Sequence, residues 1–526
     1  MESYNISLFL GLWIAAFILT RLGLSRMFKL AGQNPVLAWV PILNWWYWIK
    51  IVGRPKWYMI GMVIPGVNIL FSFNIKLDIL RSFGKHKFWE QFIGIVFTFI
   101  YFPVLFFNKD LKYFGEGGNK DWRVKYVPVG TGAREWADAL LFAAYVAGGM
   151  RALYFDLYQI PTPSMESNLM VGDYLVVSRA KIGMRIPLTP ITVPVVAPKE
   201  ILGFKAYSDL IELPYMRLPG WYTIKNNDVI VFNWPADEGF PTDKKDNFVK
   251  RCVGVPGDQL KVVKGQVYIN NKKLPVVGKQ QKRYLVLLKE GITQDFLLEN
   301  ELGDFNIPDH IAPDILTMTE KAGGRLIPYL IYTWPENADK IRKNSMVSMI
   351  IDDSHDEGDM ISDENGKPQM IRRKYFPNID GNNYLKHDWD LNNYGPIYLP
   401  KRGETIKLTK DNWDILKTAI NTYEKANIVT QDGKFYSGSG SGPEITQYTF
   451  KMGYYWMMGD NRYNSLDSRA WGYVPEDHVI GKPLFTFFGL KKVIALDEIG
   501  RPLIQDQTMI YDSKGIRWNK IFSWIH

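Results

Sequence analysis

The chain has 526 residues, of which 47% are hydrophobic and 22% charged, too long for one ordinary domain, so two or three folded regions are expected. Its net charge of +9 would suit nucleic acid or anionic lipid. No zinc-finger spacing, RNA-binding aromatic motif or basic helix is present, so nucleic acid is not an expected partner. The single cysteine, Cys252, excludes an internal disulfide and a cysteine-based metal cluster. It sits in an apolar, strand-like run, where a free cysteine behaves as a small core residue rather than a catalytic thiol.

Apolar stretches crowd into the first 155 residues. Residues 6–24 are long enough to cross a bilayer. They lack a basic start and a small-residue cleavage site, so they do not read as a removable signal peptide. Further candidate spans are 57–73, 88–107 and 136–155, the last carrying Arg151 near its end, where a long side chain can snorkel to the headgroups. The run Val36–Val52, with Trp39, Trp45, Trp46, Tyr47 and Trp48, reads as interfacial. The cations Arg21, Arg26, Lys29, Arg54 and Lys56 lie beside these segments and report orientation. Four spans place the loops 21–56 and 108–135 in the cytoplasm and everything after residue 155 outside. The basic loop around Lys76, Arg81, Lys85 and Lys87 resists that count.

The remainder is rich in β-favouring runs, at Tyr174–Ser178, Asp228–Phe232, Phe248–Val255 and Gln259–Ile269, punctuated by Gly, Pro, Asn and Asp. From about Gly278 to Gly453 the chain is charged and reads as loop-rich. Its acidic patch Asp352–Glu364 does not follow the EF-hand pattern and reads as a solvated loop. Tyr436–Pro443 reads as a flexible turn or short linker.

Three segments stand out. They are Gln159-Ile-Pro-Thr-Pro-Ser-Met165, Phe248-Val-Lys-Arg-Cys-Val-Gly-Val-Pro-Gly-Asp258 and the run from Gly459-Asp-Asn-Arg462 through Asn464-Ser-Leu-Asp-Ser-Arg469 to Pro475. Taken singly, each has a plain structural explanation: a rigid connector, a surface lysine, an ordinary turn. Together and in this order, after an apolar span, they resemble the bacterial type I signal peptidases. Asn227–Pro235 also resembles that family's strand between the first two motifs. The resemblance covers the last span, 156–270 and 452–490.

What it implies is a set of N-terminal transmembrane α-helices followed by a mainly antiparallel β catalytic domain with a large insertion. The expected organisation is a membrane region 1–135, a transmembrane helix 136–155, catalytic core 156–277, an inserted subdomain 278–453, and a second core segment with tail at 454–526. The implied enzyme is a membrane-bound serine endopeptidase that removes signal peptides after small residues. Ser164 would be the nucleophile and Lys250 the general base. The Ser164 N–H and the Thr162 hydroxyl would form the oxyanion hole, Ser465 would orient the lysine, and Asp467 and Arg469 would form a supporting ion pair. Ile160, Pro161, Met165 and Val249 match positions that line shallow apolar pockets, although core packing explains them equally well. No metal or cofactor is implied. Signal-peptide-bearing preproteins and the lipid bilayer are the expected partners, the export translocase is a further candidate, and the location is the bacterial cytoplasmic membrane with the catalytic domain outside.

The chemistry is sensible on its own terms. A serine hydroxyl needs a base, and a lysine becomes one when burial strips its charged form of solvation. Phe248 and Cys252 share the face of Lys250 at strand period, and Arg251 points the other way. None of the six histidines, at 86, 310, 355, 387, 478 and 526, falls within the three motifs; a spatially assembled Ser-His-Asp triad remains an alternative. Two departures stand out. Ser167-Asn168 replaces the family's usual Pro-Thr pair; both are polar turn formers, so the loop shape is expected to persist. Pro163 replaces a frequent glycine, and Thr162 a frequent serine. The competing readings are a non-catalytic signal-peptide receptor or secretion scaffold, and a membrane protease with other substrates.

Overall fold

The computed structural model describes residues 2–525 apart from 65, 129, 193–198, 202, 303–304, 308–316, 318, 320, 322–325, 354–358, 363–367, 372–374, 378–388, 439, 441 and 493–510. His310, His355, His387 and His526, most of the acidic patch, and two serines of the Tyr436–Pro443 run therefore lie outside the described residues. The chain forms two compact units, Met1–Asp156 with Met184–Pro219, and Leu157–Gly183 with Gly220–His526.

The first unit is helical up to Leu153, and its segment 184–219 carries the short strand pair Glu200–Ile201 and Phe204–Lys205. The apolar run 6–24 lies within one long helix, Glu2–Leu30. The expected span 57–73 is instead two helices, Tyr58–Val63 and Val67–Ser82. Between them Gly66 takes a φ of 85°. The expected span 88–107 is also divided, into Phe88–Val96 and Thr98–Phe107, bent by 118°. The helix Gly132–Leu153 carries most of the fourth candidate, which ends as the chain turns into the strand Phe155–Gln159. Among the described residues no single helix is long and apolar enough to cross a membrane; the bent pair meets that length and composition jointly. Leu24, Phe28, Val52, Ile75, Ile79, Leu80, Ile95 and Phe102 form the core of this unit, all fully buried.

The second unit is built on antiparallel strands. In its main sheet, Phe155–Gln159 lies beside Asp173–Ser178, followed in order by Val479–Lys492, Val229–Asn233, Asn247–Gly254, Tyr454–Met458 and Val474–Pro475. The central strand Asn247–Gly254 is thus paired on both edges, Lys250 opposite Ile230 and Cys252 opposite Met457. The run Gln259–Ile269 is not one strand. It folds into a hairpin of Gln259–Val263 and Gln266–Ile269, because Lys264 and Gly265 both take positive φ, 49° and 75°, the geometry of a two-residue hairpin turn.

Residues 278–453 contain more regular structure than their composition foretold. The strands Lys282–Leu288, Ile327–Thr333 and Val347–Asp352 form an antiparallel sheet over an apolar cluster of their own, including Tyr284, Phe296, Tyr329 and Ile341. Further along, Tyr394, Ile397, Leu416, Ile420 and Phe450 share a core with Val253, Leu260, Trp456 and Tyr473. Residues 278–453 therefore divide between an apolar cluster of their own and one shared with the strands around Val253 and Trp456.

Candidate active site

The nucleophile candidate sits on a single turn. Pro163–Met165 form a short 3-10 helix after Thr162, whose extended φ of −122° ends the preceding segment. Proline in the first turn suits its missing N–H and fixed φ. Asn461 grips this turn from the third motif: its N–H donates to the Ser164 carbonyl at 3.1 Å and its side-chain amide to the Pro163 carbonyl at 3.3 Å. Gly459 is needed beneath it. A side chain there would meet the Ser164 carbonyl at 2.5 Å and the Ser465 hydroxyl at 2.2 Å, so only hydrogen fits.

Lys250 lies in the paired central strand, and its Nζ is 2.7 Å from Ser164 Oγ. Both side chains are buried, at 3% and 8% exposure. Nζ also donates to the Val249 carbonyl at 3.1 Å and stands 5.1 Å from the centre of the Phe248 ring, which itself stacks on Trp234. Burial pushes the lysine down from its usual 10.5 to about 8, against the opposing pull of Asp467 and Asp460. Cys252 is buried on the same strand, its thiol facing the Gly254 carbonyl, as a core side chain; burial raises its pKa well above the ordinary value.

Thr162 is exposed, with its hydroxyl 3.3 Å from Ser164 Oγ. Asp467 and Arg469 form a two-pronged ion pair, at 2.9 and 2.7 Å, almost wholly buried. Burial alone would raise the Asp467 carboxyl, but the Arg469 guanidinium and the Gly459 N–H hold it below the usual carboxylate value. Ser465 departs from expectation. Its hydroxyl is buried and makes no hydrogen bond among the described residues; it packs against Gly459 and does not reach the lysine amine. Of the four residues matched to substrate pockets, Ile160 and Met165 are deep in an apolar cluster with Leu175, Val177 and Val231. Val249 is half-buried at its margin and Pro161 is exposed.

Arg251 does point away from Lys250, into a second buried pair that sequence reasoning missed. Its guanidinium meets both oxygens of Asp460 at 2.7 Å. The third motif contained this aspartate, but nothing in the spacing said which arginine it would take.

The departure Ser167-Asn168 changes the loop more than polarity suggested. Ser167 has a φ of 73°, in the left-handed region that proline's ring cannot enter. The backbone at this point therefore cannot be that of a proline-bearing loop. Both replacements are used. Asn168 donates to Asp460 at 2.7 Å and accepts from the Lys279 N–H at 3.2 Å. Ser167 accepts from the Gln281 side chain at 2.7 Å, and the Gln281 N–H donates to the Asp460 carbonyl at 3.0 Å. Residues 279–281 thus bind the turn that carries Ser164. No sequence signal marked Gln281, because it lies outside every motif and acts through backbone pairing. Among the described residues, no three His, Cys, Asp or Glu side chains gather as a metal-ligating group.

Comparison with known proteins identifies the family. The family described as signal peptidase, peptidase S26, matches residues 133–312 and 401–488. Residues 36–116 match a family of unknown function (DUF5684). Signal peptidase I of Buchnera aphidicola subsp. Acyrthosiphon pisum is 24% identical over 343 residues, 65% of this chain and 71% of its own. Signal peptidase I of Pseudomonas aeruginosa is 24% identical over 183 residues, 33% of this chain and 53% of its own. That of Aquifex aeolicus is 42% identical over 59 residues, 11% of this chain and 23% of its own. The matched segments span just over half of the chain and include Ser164, Lys250 and Asp467; the chain belongs to the signal peptidase family, peptidase S26, and is a serine peptidase.

Proposed function

We propose that the chain removes signal peptides from exported preproteins at the outer face of a bacterial cytoplasmic membrane, through a Ser164–Lys250 dyad. The observation that carries this reading is the 2.7 Å approach of Lys250 Nζ to Ser164 Oγ inside an apolar setting that favours the neutral amine. In the reacting form the hydroxyl donates to the amine. As Oγ attacks the scissile carbonyl carbon, its proton passes to Nζ, and the ammonium then returns that proton to the leaving amine. Water repeats the cycle on the acyl-enzyme.

The Thr162 hydroxyl and the Ser164 N–H are assigned to the oxyanion, the Asp467–Arg469 pair to holding the third motif in place, and Ser465 to packing against Gly459 beneath the serine turn. Val249 and Pro161 are assigned to the substrate-facing wall, with Ile160 and Met165 as the floor beneath it. A shallow apolar wall of this kind selects small residues near the cut by exclusion. An extended substrate would add main-chain hydrogen bonds along a strand edge. The helices of 1–155 are assigned to the bilayer, with 136–155 leading directly into the catalytic core of 156–277 and 454–526, and 278–453 inserted between its halves. Large exposed apolar side chains on this unit, including Trp89, Val104, Phe107, Trp136 and Leu140, support a lipid environment. The export translocase is a natural neighbour for such an enzyme.

The direct test is mass spectrometry of the cut site in a preprotein incubated with purified chain in detergent, with Ser164→Ala as control. Cleavage after a small residue that vanishes in the control fits the dyad. Binding without cleavage would make the chain a receptor, and scattered cuts a general protease.

The pH profile follows from the lysine. Only the neutral amine accepts a proton, so kcat/KM is expected to rise about tenfold per pH unit on the acid side and level off above about 8. A profile flat from pH 6 to 10 would remove Lys250 from the reaction. Gln281→Ala is expected to lower kcat about ten-fold or more by loosening the serine turn, since small misplacements are costly, with KM little changed. Steady-state kinetics that match the parent would show the turn is held without it.

A further inference from the structure

The helical unit contains a cavity of about 350 Å3 that the peptidase chemistry does not use, within the size range of small-ligand sites. It lies between the first helix, the helix Leu43–Ile51, the helix Val67–Ser82 and the bend near Phe97. Arg21 and Lys76 line it, and no Asp or Glu does. The Arg21 guanidinium donates to the Ala38 carbonyl at 3.0 Å, yet its Nε–H is buried with no partner among the described residues. Lys76 donates to the Ile95 carbonyl and the Tyr145 hydroxyl, at 3.1 and 3.2 Å, which leaves one of its three N–H groups uncommitted. Of the two hydroxyls on the wall, Thr20 turns back to the Ala16 carbonyl of its own helix and Thr98 to the Gly94 carbonyl of the helix before it. The polar end of the cavity is thus a pair of cations with spare donors and no counter-charge.

The rest of the wall is apolar or aromatic, with Leu24 and Trp48 buried and Val96 and Phe99 two-fifths exposed. An opening bordered by exposed apolar groups faces hydrocarbon more readily than water. We propose that this cavity binds an anionic phospholipid, its phosphate held by Arg21 and Lys76 and its acyl chain lying along Val96 and Phe99. The inference rests on the reading that this unit lies in a bilayer and is independent of the dyad.

The test uses the full chain in neutral detergent, with native mass spectrometry to count retained lipid and thermal unfolding to read stabilisation. Phosphatidylglycerol is expected to be retained about ten-fold more than phosphatidylcholine and to raise the unfolding midpoint, an effect lost in Arg21→Gln combined with Lys76→Gln. Ala16→Trp fills the cavity without touching either cation and is expected to abolish retention with peptidase activity unchanged, which covers a charge variant that fails to fold. Equal retention of both lipids, or phosphatidylglycerol retention undiminished in the folded variants, overturns the site. Stabilisation by inorganic phosphate equal to that by the lipid overturns the lipid assignment. Phase partition separates the two readings. A chain found in the aqueous phase sinks the membrane reading, whereas one that enters the detergent phase without lipid preference sinks only the cavity.

Discussion

Lys250→Met is expected to abolish preprotein cleavage while leaving the protein at least as stable as its parent at neutral pH. The activity loss should reach about 10⁴-fold or more, the scale seen when one member of a nucleophile–base unit is removed. Ser164→Ala should lose as much, and the double variant no more, as expected of two groups acting as the proposed unit. The stability half follows from linkage. The folded-state pKa of Lys250 is lowered to about 8 from 10.5, so the folded state binds its proton less tightly than the unfolded chain. Below about pH 8 both states are protonated and the fold carries the full cost of a buried ammonium, about 3 kcal/mol at ~1.4 kcal/mol per pKa unit. As pH rises from about 8 to 10.5 the folded lysine is already neutral and the cost fades, so stability rises with pH across that window. Methionine keeps most of the volume and removes the charge. Denaturant unfolding at pH 7 and pH 10 would show it: the gain of the variant over the parent should be larger at pH 7. A variant less stable at pH 7 would mean that the amine is held by attraction that outweighs its burial.

Asp460→Ala is expected to give the largest loss of stability of any single change near the site. It takes the carboxylate away from the buried Arg251 guanidinium, 1% exposed, and breaking a buried ion pair from one side costs about 3–5 kcal/mol. In a domain of this size that corresponds to a drop of roughly ten degrees in the unfolding midpoint. The same change removes an acceptor from Asn168, so residual activity should fall too. Arg251→Met combined with Asp460→Leu is expected to recover most of the stability, since a buried ion pair replaced by apolar groups is often neutral or better. A midpoint within a degree or two of the parent for Asp460→Ala would mean that water reaches the arginine and the pair is not closed.

The candidate site residues could be picked out because their motifs are local. Each of the three motifs is a short run whose residue order carries its meaning, and the strand alternation around Lys250 correctly sent Arg251 to the other face. What escaped notice depends on contacts between distant segments. Asp460 could be seen as motif, but its choice of Arg251 is a fact of strand pairing. Gln281 has no local mark. Ser167 looked like a turn former, and it is one, but its left-handed φ is set by neighbours and not by its own chemistry. Ser465 shows the reverse case, where the resemblance implied a hydrogen bond and the packing against Gly459 directs the hydroxyl elsewhere. Among the helices, apolar length located the segments but not the breaks at Gly66 and Phe97. The charged composition of 278–453 hid its strands, because their apolar faces are short and widely separated.

The hold of Lys279 and Gln281 on Ser167 and Asn168 governs how the chain can be shortened. A trimmed enzyme made for crystals or inhibitor screening would be cut naturally at Gly278, where the motif-bearing segment ends. That cut removes two residues that hold the turn carrying Ser164. A splice that begins after Gln281 and ends before Tyr375 keeps the brace and the shared core and discards the sheet in between.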